Sequence, residues 1–435
     1  MICVRTTAAD RIEELRSGPV PVGAKGWPAA AEGRPLDEVA DGRWRVLDGD
    51  LPLPALVLRE RALHGNVETM AAWCEAAGVL LAPHGKTTMA PQLFERQLAA
   101  GAWAITAATP VHARVYRHFG VPRILLANQL VERQAIAWAA AELNADPSFD
   151  LLCLVDSIAG VELLADGLRE AGARRPLDVL LEIGVEGGRT GVRSPEQALA
   201  VAHAIAQSTE LRLVGVEGFE GLLASTSAAT ELPRVEAFLD GMQAALERLD
   251  AAGAFSDCEQ VLLTAGGSAF FDRVVARFSA LAPGGRPPRI VLRSGAYVTQ
   301  DDGVYRALSA LGDRAPAGAP RLHNAIEVWS AVLSRPEPDL AIAGMGKRDA
   351  PNDIAPPTPV LACAPGDAAP RPLAGRVEAL TDQHAHLRID PRDPLAVGDL
   401  LCCTISHPCT AFDRWRLIPV VDDDHRVVGG LHTFF

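Results

Sequence analysis

Val79-Leu80-Leu81-Ala82-Pro83-His84-Gly85-Lys86-Thr87-Thr88-Met89-Ala90-Pro91 joins a short apolar run to a segment with helical spacing. The run has the length of a buried strand, and Met89–Ala100 carries apolar residues at helical intervals. A strand followed by a helix is half of a βαβ unit, so the stretch predicts parallel strands. Lys86 stands in the turn between the two elements.

The same alternation of apolar run and amphipathic segment continues from about residue 54 to about residue 300. Eight or nine repeats over this length fit a (β/α)8 barrel of about 250 residues. An open, doubly wound sheet is the alternative, and the number of repeats alone does not exclude it. The apolar runs are Ala55–Leu58, Val79–Ala82, Ala104–Ala107, Ile124–Ala127, Leu151–Val155, Val179–Ile183, Leu213–Val216, Val261–Ala265 and Ile290–Leu292.

The pattern changes after about residue 310, where glycine, proline and alanine cluster. Short alternating segments separated by turn residues then indicate a small, mainly antiparallel β domain. We therefore predict an N-terminal segment at 1–50, a barrel at 51–310 and a β domain at 311–435. Arg43–Val46 could add a strand from the N-terminal segment to the β domain. The predicted C-terminal strands are Gly375–Ala379, Ala385–Ile389, Leu400–Ile405, Arg416–Val421 and Arg426–Leu431.

The composition of the 435 residues excludes several classes of protein. A formal net charge of −13 and a pI of about 5.4 argue against a nucleic-acid surface, which needs a basic patch. The N-terminus lacks the apolar core of a secretory signal, and no stretch approaches the roughly 18 apolar residues of a membrane span. The eight cysteines show no disulfide framework. We expect a cytoplasmic protein.

Lys86 is the best candidate for a reactive centre. In a barrel, functional residues stand at the carboxyl ends of the strands, and Lys86 follows one such run. A buried lysine there can lose its proton and attack a carbonyl. A phosphate-binding P-loop is excluded because it needs a glycine five residues before Gly85, where Leu80 stands. A solvated surface lysine remains the alternative.

Three other loops follow predicted barrel strands. Glu182–Val192 is polar and glycine-rich and contains Arg189, whereas Gly266-Gly267-Ser268 and Arg293-Ser294-Gly295-Ala296-Tyr297 could direct backbone N–H groups at an anion. Each loop alone could be an ordinary turn. A lysine, an arginine and two phosphate-type loops on one barrel face together are the inventory for pyridoxal 5'-phosphate (PLP).

Ser406-His407-Pro408-Cys409-Thr410, near the end of the β domain, forms a second constellation. Residues i and i+2 of a strand project to the same face, so His407 and Cys409 can reach one metal ion. Imidazole and thiolate favour zinc, and two protein ligands leave positions for water or substrate. A core cysteine beside a strand-end histidine is the alternative.

Together, Pro83–Pro91, Glu182–Val192, Arg293–Val298 and Ser406–Thr410 resemble the D-serine dehydratase-like family. The family includes D-serine dehydratases, D-threo-3-hydroxyaspartate dehydratases and D-threonine aldolases, which are PLP enzymes of the alanine racemase fold type. The resemblance covers roughly residues 50 to 435. It implies a barrel with a C-terminal β domain, a homodimer and a small D-amino acid substrate, whereas the charge and the lack of long apolar stretches predict no nucleic-acid or membrane partner.

The resemblance also implies roles for individual residues. Lys86 would be the catalytic Schiff-base lysine, Arg189 would lie near the pyridine ring, and His407 and Cys409 would be zinc ligands. The residues expected to help hold the phosphate are Gly266, Gly267, Gly295 and Tyr297.

The expected reaction is elimination of the β-hydroxyl of a D-3-hydroxy amino acid such as D-serine, which gives a 2-oxo acid and ammonia. Members of the family that cleave Cα–Cβ tend to have His-x-Asp, so Cys409 favours the dehydratases. Aldol cleavage, racemisation and a non-catalytic PLP-binding role remain alternatives. Phe219 stands where relatives often carry tyrosine, so the substrate could differ.

Overall fold

A computed structural model describes residues 7–223 and 228–435 of the chain. Its first sheet contains eight parallel strands in the order β2-β9-β8-β7-β6-β5-β4-β3. His84, just after β2, bridges Thr106 of β3 in parallel and closes the sheet into a barrel. The predicted (β/α)8 barrel is confirmed. The strands are β2 (Leu80–Leu81), β3 (Ile105–Ala107), β4 (Arg123–Gln129), β5 (Asp150–Val155), β6 (Leu177–Ile183), β7 (Leu211–Gly218), β8 (Leu262–Ala265) and β9 (Arg289–Leu292).

Helices connect the barrel strands and pack their apolar faces against them. Several begin where a serine or threonine side chain accepts a backbone N–H, as Thr109 does for the helix at Pro110–His118. The helices of the described ranges are α1 (Ala8–Ser17), α2 (Leu36–Val39), α3 (Glu60–Ala77), α4 (Pro91–Ala99), α5 (Pro110–His118), α6 (Arg133–Ala145), α7 (Ile158–Glu170), α8 (Pro195–Ala206), α9 (Ala228–Ala251), α10 (Phe271–Phe278) and α11 (Val304–Leu308).

The second sheet has ten strands and is mainly antiparallel, as predicted. Its principal path runs β13-β12-β16-β10-β1-β17-β18, and β11, β14 and β15 form a branch from β10. The strands are β1 (Ala55–Arg59), β10 (Ile326–Glu337), β11 (Leu340–Ala343), β12 (Thr358–Cys363), β13 (Arg371–Pro372), β14 (Gly375–Leu380), β15 (Ala385–Ile389), β16 (Leu400–Thr404), β17 (Leu417–Val421) and β18 (Val427–His432).

One predicted barrel strand lies in the other sheet. The apolar run Ala55–Leu58 forms β1, which pairs antiparallel with β10 and parallel with β17. Both faces of β1 are buried in hydrophobic clusters. Leu56 belongs to the large cluster that includes the barrel, and Ala55 and Val57 belong to a smaller cluster that includes Trp27 and Trp329. A strand buried on both faces reads as a continuous apolar run in either sheet.

The segment before β1 packs on the outer face of the second sheet. Trp27 is buried and donates its indole N–H to the Leu417 carbonyl at 3.1 Å. Arg45 forms an isolated antiparallel bridge with Arg426, where a strand from Arg43–Val46 was expected. Within the described ranges, no helix is long and apolar enough to cross a membrane. The exact domain bounds, the homodimer and the cytoplasmic location stay predictions.

Candidate active site

Lys86 lies in a 3-10 turn, Gly85–Thr87, that follows β2 at the carboxyl end of the barrel. The turn is tightly packed: a Cβ on Gly85 would come within 2.7 Å of the Tyr116 hydroxyl. Glycine is therefore needed directly before the lysine. The packing holds Lys86 at the place where barrel enzymes carry their reactive groups.

The surroundings of Lys86 favour a neutral amine. Burial lowers the pKa of Lys86 from its ordinary 10.5, and the cations Arg189 and Arg293 lower it further against the opposing effect of Cys409. Burial and the nearby cation Arg293 also hold the pKa of His84 well below 6.5, which favours a neutral imidazole. A neutral amine can act as a nucleophile and as a base.

The loop that carries Arg189 is held by its own side chains. Arg193 donates to the carbonyls of Thr190 at 2.7 Å and Gly191 at 2.5 Å, and more weakly to those of Gly188 and Arg189. Thr190 also donates to buried Glu182 at 2.6 Å. Arg189 is exposed, and its guanidinium lies 5.7 Å from the centre of the Phe219 ring. Arg189 and Phe219 are therefore neighbours at one rim of the barrel.

Glu217 and Arg293 form a buried ion pair between β7 and the end of β9. Arg293 also donates to the Thr264 hydroxyl at 2.8 Å and to the Gly218 carbonyl at 3.0 Å. Burial raises the pKa of Glu217 to about 7 even beside Arg293, and its second carboxylate oxygen has no partner in the described structure. The barrel interior thus contains a fixed guanidinium close to Lys86.

The backbone N–H groups of Gly266 and Gly267 converge after β8 and hold an anion. That anion is the carboxylate of Glu220, which accepts from Gly266 at 3.0 Å and from Gly267 at 2.6 Å. Gly266 has a φ of 90°, which favours glycine, and a Cβ on Gly267 would come within 2.9 Å of the Phe219 ring. We call the Gly266–Gly267 N–H pair the anion cradle.

Gly295 and Tyr297, the other two residues expected at the phosphate, lie beside the lysine turn. A Cβ on Gly295 would come within 2.6 Å of the His84 carbonyl oxygen, so the two turns touch. Tyr297 is buried, and its hydroxyl is 3.0 Å from the Gln97 amide in α4. The Tyr297 side chain is therefore engaged by a helix, and only its backbone is available to an anion.

His407 and Cys409 reach the barrel face from the second domain. The Cys409 sulfur lies 3.3 Å from the Thr87 hydroxyl, one residue from Lys86. Burial alone would lower the pKa of His407, but Cys409 and Asp353 raise it to about 9 through hydrogen bonds and charge. No third His, Cys, Asp or Glu in the described ranges completes a metal-binding group with these two.

The residues present fit both groups that the sequence implies. The anion cradle donates to a carboxylate, so its N–H groups can donate to a phosphate that displaces Glu220. The lowered pKa of Lys86 suits it to react with a carbonyl group. An imidazole and a thiol two residues apart suit zinc with open positions. The predicted roles of the site residues nevertheless stay predictions.

Sequence reasoning did not identify four residues that the fold brings to this site: Glu217, Glu220, Arg293 and Asp353. Arg293 stands in the loop Arg293–Tyr297, and its charge directly after an apolar strand is a sequence signal for a functional residue. Glu217 and Glu220 belong to the segment that contains Phe219. Asp353 lies in a proline-rich loop whose sequence gives no sign of its contact with His407.

Comparison with known families identifies both parts of the chain. Residues 59–284 match the alanine racemase N-terminal domain, which is slightly more than half of the chain. Residues 325–421 match a serine dehydratase domain. The two matches correspond to most of the barrel and to most of the second sheet.

Individual relatives carry two different activities. The chain is 25% identical to D-threonine aldolase of Arthrobacter sp. over 374 residues, 85% of this chain and 89% of that protein. It is 32% identical to D-threo-3-hydroxyaspartate dehydratase of Delftia sp. strain HT23 over 152 residues, 35% of this chain and 39% of that protein.

The solved structure of the Delftia sp. HT23 dehydratase has a TM-score of 0.69 at 21% identity and covers 90% of this chain and 99% of that chain. Two further structures of a D-threo-3-hydroxyaspartate dehydratase carry a cysteine-to-alanine substitution, in the metal-free form, and a histidine-to-alanine substitution two positions earlier.

Proposed function

Because the chain belongs to the alanine racemase-fold family of PLP enzymes that includes D-threonine aldolase and D-threo-3-hydroxyaspartate dehydratase, we propose that it is a PLP- and zinc-dependent dehydratase. The substrate is a D-3-hydroxy amino acid such as D-serine. Loss of the β-hydroxyl and hydrolysis of the resulting enamine give a 2-oxo acid and ammonia. D-Serine gives pyruvate and ammonia.

The barrel supplies the cofactor site. Lys86 would hold PLP covalently, the anion cradle and Gly295 would hold its phosphate, and Arg189 would lie near its ring. Bound there, PLP supplies an electron sink for negative charge at Cα. The Lys86 amine, released when substrate binds, takes the Cα proton, and its lowered pKa raises the fraction of neutral amine near pH 7.

The second domain supplies the metal site. His407 and Cys409 would bind zinc and leave coordination positions for the substrate oxygen and water. Bound there, zinc supplies Lewis acidity that makes the β-hydroxyl a better leaving group. The dehydratase structures with substitutions at a histidine and a cysteine two positions apart, one of them metal-free, support this assignment.

The observation that carries the proposal is the 3.3 Å contact between the Cys409 sulfur and the Thr87 hydroxyl. It brings the histidine–cysteine pair of one domain against the lysine turn of the other. A base for Cα and a Lewis acid for the β-hydroxyl can therefore act on neighbouring atoms of one substrate. A core cysteine with only a packing role does not require this proximity.

D-Threonine distinguishes the proposed reaction from its main competitor. Elimination converts it to 2-oxobutanoate and ammonia, whereas retro-aldol cleavage gives glycine and acetaldehyde. We expect 2-oxobutanoate from the PLP-loaded, zinc-loaded enzyme. Glycine and acetaldehyde as the products would establish the aldolase, which we keep as second candidate because D-threonine aldolase matches most of this chain.

Metal removal tests the proposed role of zinc in the elimination. A chelated enzyme is expected to keep the visible absorbance of its lysine-bound PLP and to lose 2-oxo acid formation, which added zinc restores. Lys86→Ala is the matched control and is expected to lose the absorbance band itself. Full activity after verified zinc removal would refute the metal role.

A further inference from the structure

Asp353 contacts the metal-binding histidine from a separate part of the chain. Its Oδ2 atom lies 2.6 Å from His407 Nδ1, and it stands in the loop between β11 and β12. The inference below rests on the proposed function, because it concerns the metal that His407 would bind.

We propose that Asp353 is a positioning residue that fixes His407 with its Nε2 atom free for zinc. When Nδ1–H donates to a carboxylate, the neutral imidazole keeps its lone pair on Nε2. Metal-binding histidines usually donate their other ring N–H to such an acceptor, which fixes the tautomer and the ring orientation. Cys409, two residues on, then presents its sulfur beside the same imidazole.

Both oxygens of Asp353 contact residues of the loop that contains His407. Oδ2 accepts from His407, and Oδ1 accepts from the Thr410 hydroxyl at 3.0 Å. Within the described ranges, Asp353 does not complete a three-residue metal-binding group with His407 and Cys409. Asp353 is therefore placed to orient His407 through its Nδ1 atom.

A second contact holds the two loops together. Ser406 donates its hydroxyl to the Ala355 carbonyl at 2.9 Å, and the Ala355 N–H lies 3.2 Å from the same hydroxyl. The loop that contains Asp353 is thus fixed next to the loop that contains His407 even without their ion pair. A substitution at Asp353 removes the orienting bond and leaves the Ser406–Ala355 hydrogen bonds in place.

An exposed ion pair without a positioning role is the competing explanation. The Asp353 side chain is 41% exposed, and exposed ion pairs contribute little to stability. Such a pair could be removed without effect on zinc binding. The two explanations therefore differ in zinc affinity and agree on a small change in stability.

The test measures zinc affinity of the full chain by competition with a chromophoric chelator, together with the melting temperature of the metal-free protein. Asp353→Asn keeps one oxygen acceptor for His407 and Asp353→Ala keeps none. We expect zinc binding to weaken in that order, by roughly 10- to 100-fold for the alanine variant. The melting temperature of the metal-free protein should stay close to wild type for both.

Asp413→Asn is the matched control, since Asp413 is a nearby, largely exposed aspartate that pairs with Arg414. It should bind zinc as tightly as wild type. His407→Ala and Cys409→Ala should each lose most zinc binding. Wild-type affinity in Asp353→Ala would overturn the positioning role alone. A wild-type chain that binds no zinc would overturn the proposed metal role and this inference with it.

Discussion

The charge of Lys86 depends on its burial and on residues that follow other barrel strands. Burial and the cations Arg189 and Arg293 lower its pKa from 10.5. The rate at which the metal-free, cofactor-free chain reacts with PLP should follow the neutral amine, and its pH midpoint should lie below 10.5. Arg189→Gln removes one cation, so the midpoint should move to higher pH. Rapid-mixing absorbance across a pH series measures both midpoints.

The same experiment can contradict the inferred effect of Arg189 on the pKa of Lys86. An Arg189→Gln midpoint equal to that of wild type would mean that Arg189 does not act on the Lys86 charge. Arg133→Gln is a suitable control, since Arg133 is an exposed residue at the start of α6. It should leave the midpoint unchanged.

Glu220 competes with any other anion for the N–H groups of Gly266 and Gly267. Glu220→Gln removes the negative charge and weakens these hydrogen bonds. Hydrogen bonds to charged groups contribute roughly 1.5–3 kcal/mol, so the variant should bind PLP and inorganic phosphate roughly ten- to a hundredfold more tightly. Equilibrium titration of the cofactor-free chain measures both affinities.

Glu186→Gln is the control for charge alone, because Glu186 is exposed on the neighbouring loop after β6. It should change both affinities little. Weaker phosphate binding by Glu220→Gln would show that Glu220 does not compete for the anion cradle.

At the scale of elements, the end of β9 packs against the lysine turn through Gly295. Gly295→Ala would place a Cβ 2.6 Å from the His84 carbonyl oxygen and 2.9 Å from the Thr87 hydroxyl. Forcing extra volume into such a contact costs roughly 1–3 kcal/mol. We expect a lower free energy of unfolding and weaker PLP binding, measured by denaturant titration and absorbance.

Gly241→Ala provides a matched comparison within one protein. Gly241 lies inside α9, and a Cβ there would meet no atom within 4 Å. Alanine in a helix interior is favoured over glycine by roughly 0.5–1 kcal/mol, so this variant should be more stable. Equal effects of the two substitutions would contradict the tight packing at Gly295.

Elements with strong local patterns were predicted well from the sequence. Eight of the nine apolar runs named for the barrel coincide with its strands, and the helical segment Met89–Ala100 contains α4. Ala55–Leu58 forms a strand, as predicted, but this strand lies in the second sheet and not in the barrel. A continuous apolar run indicates only that a segment is buried on both faces. The sheet that the segment joins depends on its pairing with β10 and β17, whose residues lie more than 250 positions away in the chain.

The residues of the candidate site also differ in whether the sequence alone identifies them. Lys86 and the His407–Cys409 pair are visible because they stand in short motifs. Glu220 and Asp353 act only through residues brought close by the fold, and their own sequence surroundings resemble ordinary turns. Local sequence patterns therefore indicated the residues proposed to react or to bind metal. Only the tertiary contacts indicated the residues that position them.

At the scale of the whole molecule, β1 joins the two parts of the chain. It lies between β10 and β17 inside the second sheet, directly before α3, the first helix of the barrel region. A chain that starts at residue 60 lacks this inner strand and the segment that packs on the second sheet before it, and it leaves two strand edges unpaired. We expect it to aggregate or to lose β structure, as measured by size-exclusion chromatography and circular dichroism.

A chain that starts at Thr7 is the control, since it keeps every described residue before β1. It should elute and unfold like the full chain. A folded, soluble chain from residue 60 would show that β1 is dispensable for the second sheet.

The position of β1 has a consequence for biosynthesis. Ribosomes release a chain from its N-terminus, and domains tend to fold as they emerge. The barrel strands end at Leu292, but β1 cannot gain its partner β17 until Val421 has been made. Cys409 also emerges more than 300 residues after Lys86. The nascent chain can therefore complete its barrel before His407 and Cys409 reach Lys86, and the candidate active site is assembled only in the finished polypeptide.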